Sequence, residues 1–254
     1  MRRLEGKIIA IAGGAGGIGS ETSRRLASEG ASVVVGDVDL ASAEAVAAEI
    51  ETAGGRAIAC KVDIGEEADV KRLVAAAVET YGGLDGFHAN AADFRRAVED
   101  TDVVAMEIAV YDHIIHYNQR GFFLCTRYAV PELVKRGGGA MLYTSSGAAH
   151  AGEPVRPAYA MAKSALHALA RHVASHWGKD GIRANVIAPG VVLHPKLEAA
   201  AGPQLAEWAI QQVKGTRLGV PLDIAAMAAL LLSDEGGFIT GQVISVDGGS
   251  TMRP

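Results

Sequence analysis

The stretch Lys7-Ile-Ile-Ala-Ile-Ala12-Gly13-Gly-Ala-Gly-Gly17-Ile18-Gly19-Ser20 decides how the rest of the chain is read. Its first half is an unbroken apolar run of strand length, and its second half is a glycine-rich turn opening onto helical spacing from Ile18 to Glu29. Such continuously apolar strands belong to parallel sheets covered by helices on both faces. Glycines between strand and helix let backbone N–H groups approach a pyrophosphate at a helix N-terminus. A tight turn can need glycine for geometry alone, but the strand–turn–helix order favours phosphate binding.

The same alternation continues downstream. Short apolar runs at Ser32 to Gly36, Ala57 to Val62, Gly86 to Asn90, Ala140 to Ser145, Arg183 to Ala188 and Gln242 to Val246 read as strands. Between them, Leu40 to Ala53, Glu67 to Tyr81, Val103 to Gly121, Thr126 to Arg136, Ala158 to Trp177 and Pro221 to Leu232 read as helices. The expected fold is therefore a Rossmann-type, doubly wound α/β domain over residues 1–254, with about seven strands. The stretch His194 to Gly219 lacks a clear period and is expected to be an irregular substrate loop or cover, at about 191–219.

Composition narrows the function. The 24 basic and 29 acidic residues give a net charge of −5 with no basic stripe, which argues against nucleic acid as a partner. Neither a signal peptide nor a spanning segment is expected, so a cytoplasmic enzyme without membrane attachment is the working expectation. Cys60 and Cys125 lie in apolar surroundings and read as buried free thiols. The histidines, including His172 and His176 on one helix face, read as surface or interface residues, and no metal site is expected.

Two acids end strands. Asp37, about twenty residues past the glycines, is placed to accept hydrogen bonds from ribose hydroxyls and to repel a 2′-phosphate, favouring NAD over NADP. A solvated turn aspartate is the plainer alternative. Asp63, followed by Ile64, either caps the next turn or holds an adenine amino group, and the sequence leaves the two equal.

Tyr159 and Lys163 lie four residues apart, thirteen residues after Ser146. On a helix the phenol and the ammonium share one face. A nearby ammonium favours the phenolate, making the pair a proton-transfer device. Lowering a tyrosine pKa by about three units takes about 4 kcal/mol, so burial and a positively charged cofactor are expected to assist the lysine. Singly, each residue has a bland explanation: tyrosine and lysine at this spacing are common, and Ser145-Ser146 suits a turn.

Together, the glycine loop, the strand-end acid, Asn90-Ala91, Ser146 and the Tyr-x-x-x-Lys run resemble the short-chain dehydrogenase/reductase family over essentially the whole chain. The family's Thr-Gly-x-x-x-Gly-Ile-Gly pattern stands here with Ala12 for threonine and with Gly13, Gly17, Ile18 and Gly19 kept; Asn-Asn-Ala-Gly stands as Ala89-Asn90-Ala91-Ala92. The resemblance implies catalytic roles for Asn118, Ser146, Tyr159 and Lys163. Asn118 would position a water linking Lys163 to solvent, and Lys163 would also hold the nicotinamide ribose. It puts Pro189-Gly190 beside the nicotinamide and His194 where the family often has a threonine contacting the carboxamide. It further implies a homotetramer.

His150, Glu153, Val155 and Arg156, between serine and tyrosine, are expected either to contact substrate or only to close a loop. Phe94, Arg95 and Arg96 either meet an anionic substrate group or are solvated. The expected reaction is hydride transfer between NAD(H) and a secondary alcohol or ketone. The alternatives are an NADPH-dependent 3-oxoacyl-[acyl-carrier-protein] reductase, which Asp37 disfavours, and a nucleotide-binding protein without catalysis.

Overall fold

In a computed structural model, residues 2–252 are described. Strands β1 (Ile8–Ala12), β2 (Ser32–Asp37), β3 (Arg56–Lys61), β4 (Gly86–Ala89), β5 (Gly139–Thr144), β6 (Ile182–Pro189) and β7 (Val243–Val246) form one parallel sheet in the order β3-β2-β1-β4-β5-β6-β7. Helices α1 (Gly17–Ser28), α2 (Leu40–Thr52), α3 (Glu67–Tyr81), α4 (Ile108–Ile115), α5 (Gly121–Lys135), α6 (Pro157–Trp177), α7 (Pro195–Gln212) and α8 (Pro221–Leu232) complete the chain.

The side-chain period of two splits each strand between two cores. Ile9 and Ile11 pack with Leu26, Ile50 and Leu231 under α1, α2 and α8. Ile8 and Ala10 pack with Leu73, Leu133 and Val173 under α3, α5 and α6. Because both faces are covered, the strands have no solvent side to mark with alternating polar residues. Strand order reverses between β1 and β4, and the crevice beyond their carboxyl ends is where such sheets bind ligands.

Two expectations on helices need correction. The helix placed at Val103 to Gly121 begins at Ile108, and it runs through a π-helical turn, His116–Arg120, directly into α5 without the break expected before Thr126. Gly121 looks like a stop but sits inside the helix because Ile64 crosses it: a Cβ there would lie 2.9 Å from the Ile64 carbonyl oxygen. The stretch His194 to Gly219 is not irregular, since residues Pro195–Gln212 form α7. Its alanines, leucines and glutamates are strong helix formers, and Pro195 takes the first helical position. Trp208 and Ile210 are exposed while Ala209 is buried, so the largest apolar side chains at that end of the helix do not mark its buried face.

Candidate active site

The rear of the glycine loop is packed against its neighbours through backbone hydrogen bonds. Gly13 and Gly14 N–H both donate to the Gly36 carbonyl at 2.8 Å, and Asn90 and Ala91 N–H both donate to the Ala12 carbonyl at 2.9 and 2.7 Å. Gly13 has φ +81°, and a Cβ on Gly19 would stand 1.8 Å from the Gly13 oxygen, so neither position accepts a side chain. A Cβ on Gly16, by contrast, would meet nothing within 4 Å. The loop is thus closed behind and open in front, as a cradle for a phosphate at the start of α1 requires. Ala12 in place of threonine leaves this packing intact, its carbonyl accepting both N–H groups.

Asp37 ends β2 with its carboxylate across the same turn, one oxygen accepting Ala15 N–H at 3.0 Å and the other Asp39 N–H at 3.2 Å. Asp63 accepts Gly65 N–H at 2.9 Å in its own turn, and the next residue, Ile64, is buried against Gly121. His194 caps α7 by accepting Leu197 N–H at Nδ1, 3.3 Å away. Its ring lies over Gly17, within 2.5 Å of where a Cβ would be. It therefore adjoins the glycine loop at the start of α1.

Lys163 is buried, 1% exposed, with Nζ donating to the Thr144 carbonyl at 3.0 Å and facing the rings of Phe122 and Tyr159 at 4.3 and 5.8 Å. Burial alone draws its pKa from 10.5 down to about 7. Tyr159 is half-buried, and the expectation that burial would help lower its pKa is reversed. Removal from water disfavours the phenolate and raises the value, against which the Ser146 hydrogen bond and the Arg156 charge act. Ser146, in extended backbone at φ −159°, accepts Ala148 N–H at 3.2 Å, which fixes its hydroxyl beside the phenol. Ser145 donates to the Lys163 carbonyl at 2.9 Å, tying β5 to α6.

Asn118 occupies the π-helical turn, a feature that often marks functional sites. Its side chain is spent on the backbone of Asp93: Oδ1 accepts Asp93 N–H at 3.1 Å and Nδ2 donates to the Asp93 carbonyl at 3.0 Å. Pro189 ends β6, and Gly190 N–H donates to the Val246 carbonyl at 3.3 Å. Glu153 pairs with Arg156 at 2.5 Å and His150 stacks on His167 at 4.8 Å, contacts that close the loop before α6. Arg95 pairs with Asp93 and Arg96 with Glu99, while the Phe94 ring lies 5.4 Å from that of Tyr159. His172 and His176 are exposed and stacked, and among the described residues no cluster of three or more metal ligands occurs. Both cysteines are free and buried.

Three buried polar residues escape a sequence reading. Thr144 Oγ donates to Asn90 Oδ1 at 2.9 Å, and Asn90 Nδ2 donates to the Gly13 carbonyl at 2.9 Å. Thr144 has spent its one proton, so His88 Nε2, 2.8 Å away, is the donor to it. That leaves His88 Nδ1 a bare acceptor, buried with no partner among the described residues. The line His88–Thr144–Asn90–Gly13 joins the strand that holds Lys163 to the glycine loop. The third residue, Asp100, caps α6. A polar residue interrupting Gly86-Phe-His-Ala89 was the only sequence sign of the first two; nothing local marks Asp100.

Comparison with known proteins agrees with this geometry. A family model described as enoyl-(acyl carrier protein) reductase matches residues 13–251. The chain is 35% identical to the 7alpha-hydroxysteroid dehydrogenase of Escherichia coli, over 99% of this chain and 96% of that protein. It is 34% identical to a 2,5-dichloro-2,5-cyclohexadiene-1,4-diol dehydrogenase of Sphingobium indicum, over 97% of each. The chain belongs to the short-chain dehydrogenase/reductase family. Among solved structures of that family, a 7alpha-hydroxysteroid dehydrogenase complexed with NADH and 7-oxo glycochenodeoxycholic acid superposes with a TM-score of 0.91 at 34% identity, covering 99% of this chain and 96% of that one. A short-chain dehydrogenase/reductase of this kind is an oxidoreductase acting on CH–OH groups.

Proposed function

We propose that this protein is an NAD(H)-dependent dehydrogenase of alicyclic secondary alcohols, with Tyr159 as general acid/base. The observation that carries the reading is the phenol of Tyr159 held by Ser146 at the carboxyl edge of the sheet, with the buried Lys163 ammonium behind its ring. The nicotinamide cofactor, when bound, supplies or accepts the hydride. In oxidation, the Tyr159 phenolate accepts the hydroxyl proton; in reduction, the phenol donates it to the developing alkoxide. Ser146 donates to the same substrate oxygen and holds it within reach. Lys163, anchored on Thr144, favours the phenolate and takes a ribose hydroxyl, and Asn118 keeps the adjoining segment in register.

Gly13, Gly16, Gly17, Ile18 and Gly19 would hold the pyrophosphate, Asp37 the adenosine ribose, and Asn90, Pro189 and Gly190 the nicotinamide end. Asp37 carries the choice of NAD over NADP, because a second negative group beside its pinned carboxylate would be repelled. The ring-bearing alcohols named for the relatives support the substrate class. Helix α7 and its cap His194 form the cover over this end.

The reading extends to a homotetramer, supported by exposed apolar side chains on the outer helices, Ile108, Phe123 and Met161. It extends also to the cytoplasm, where two free thiols fit a reducing compartment.

The test is a fluorescence titration of NADH against NADPH, repeated with Asp37→Ala, followed by a screen of hydroxysteroids and cyclic diols. Preference for NADH that relaxes in Asp37→Ala is the expected result. Preference for NADPH would move the assignment to a 3-oxoacyl-[acyl-carrier-protein] reductase, and binding of neither to a protein without catalysis.

A further inference from the structure

The chain between Asn90 and α4 makes no regular element, yet both of its anchor points are residues of the catalytic set. At its start, Asn118 clasps the backbone of Asp93 through both N–H and C=O. Seven positions on, Asp100 is 2% exposed and directs its carboxylate at the first turn of α6. One oxygen accepts Ala158 N–H at 3.2 Å, and the other accepts the N–H of Tyr159 itself at 2.9 Å.

The first N–H groups of a helix have no partner within it, and the residue before the helix ordinarily supplies one through its side chain. Here that residue is Arg156, which makes no side-chain cap and sits at φ 65°, ψ 44°, a left-handed conformation unusual for arginine. Its own N–H donates back to the carbonyls of Asp100 and Thr101 at 2.9 and 3.1 Å. The start of α6 is thus held by a remote carboxylate and not by its own sequence. Backbone strain tolerated at such a place is typical of functional sites, where the surroundings over-determine the conformation.

We propose that Asp100 is a positioning residue for the acid/base of this enzyme: its carboxylate sets the first turn of α6, and so the place of the Tyr159 phenol, against the strap that Asn118 holds at the other end. This rests on the reading of Tyr159 as acid/base. A carboxylate can accept both N–H groups at once. An asparagine accepts one and turns its own N–H₂ toward the other, and a serine is too short to reach both. Displacement of a reacting group by about 1 Å can cost about a hundredfold in rate, so loss of one of these bonds is expected in kcat.

The experiment uses the full-length chain with Asp100→Asn and Asp100→Ser, alone and combined with Tyr159→Phe. NADH fluorescence titration confirms that each variant keeps its fold and cofactor site. The expected result is NADH affinity within twofold of the parent, kcat for the alcohol substrate down tenfold or more, and KM changed less than kcat. The phenolate absorbance that is lost in Tyr159→Phe should titrate at a displaced pH in Asp100→Asn. Adding Asp100→Asn to Tyr159→Phe should produce no further loss, because a residue acting through Tyr159 has nothing left to position. A lower melting temperature with kcat within twofold of the parent and an unmoved phenolate titration would overturn the proposal, leaving Asp100 a structural cap. Additive losses in the double variant would also overturn it. If Asp100→Asn does not fold, Asp100→Ser decides on the same readouts. Turnover by Tyr159→Phe equal to the parent would remove the acid/base reading first, and the proposal with it, so the two failures are distinguishable.

Discussion

Acidification should destabilise this protein through His88, and the effect is large enough to isolate. The imidazole is fully buried, donates through Nε2 to Thr144 and leaves Nδ1 without a partner among the described residues, so a second proton would put an unpaired charge into the core. Burial accordingly moves its pKa from 6.5 to about 3. The unfolded chain binds the proton first, so stability is full above about pH 6.5, falls as pH drops toward 3 and levels off below that. At pH 5 the unfolded imidazole lies 1.5 units above the ambient pH while the folded one is still neutral. At about 1.4 kcal/mol per unit, that amounts to a loss of about 2 kcal/mol relative to pH 7.5. The assay is urea unfolding of parent and His88→Val at both pH values. His88→Val loses one buried hydrogen bond, about 1 kcal/mol at pH 7.5, but should lose about 2 kcal/mol less than the parent on going to pH 5. Equal acid sensitivity in the two proteins, within about 0.5 kcal/mol, would refute the reasoning, because other groups titrate alike in both.

The remaining predictions concern the glycine loop and α6. Gly16→Ala should leave the melting temperature unchanged, since its Cβ meets nothing, yet weaken NADH binding in a fluorescence titration. Gly19→Ala should do both, weakening binding and costing about 1–3 kcal/mol in urea unfolding, because its Cβ would collide with the Gly13 carbonyl. Arg156→Gly should stabilise the fold by about 1 kcal/mol through relief of the left-handed backbone, less a few tenths for the part-buried Glu153 pair, as read by urea unfolding. Tyr159→Phe should lower kcat by about a hundredfold or more with NADH affinity unchanged, the magnitude of a lost general acid/base.

The parts of the site that were legible in the sequence are those whose chemistry is local. Gly13 and Gly19 declare themselves because only glycine survives a backbone contact that close, and Asp37 because a strand end fixes its distance from the loop. Tyr159 and Lys163 are brought together by one helical turn. Elements with strong periodicity were equally plain, Glu67–Tyr81 and Pro221–Leu232 to the residue. Helix α7 escapes the sequence reading because Trp208 and Ile210 stand exposed and blur its apolar period, and the join of α4 to α5 because Gly121 answers to Ile64, more than fifty positions away.

The same distinction explains what the sequence could say about Tyr159 and what it could not. Spacing places the lysine beside the tyrosine but is silent on the dielectric around them. Once folded, burial opposes charge on both groups, drawing the ammonium down and pushing the phenol up. The proposed proton-transfer pair is therefore not tuned by the lysine alone. It needs fixed hydrogen bonds to the phenol and its helix, and those come from outside the motif: Ser146 just past the end of β5, the Thr144 carbonyl beneath Lys163, and Asp100 from a segment with no periodicity at all. A family motif thus names the groups proposed to react, while the residues that hold them in place are decided by long-range contacts that only the folded chain contains.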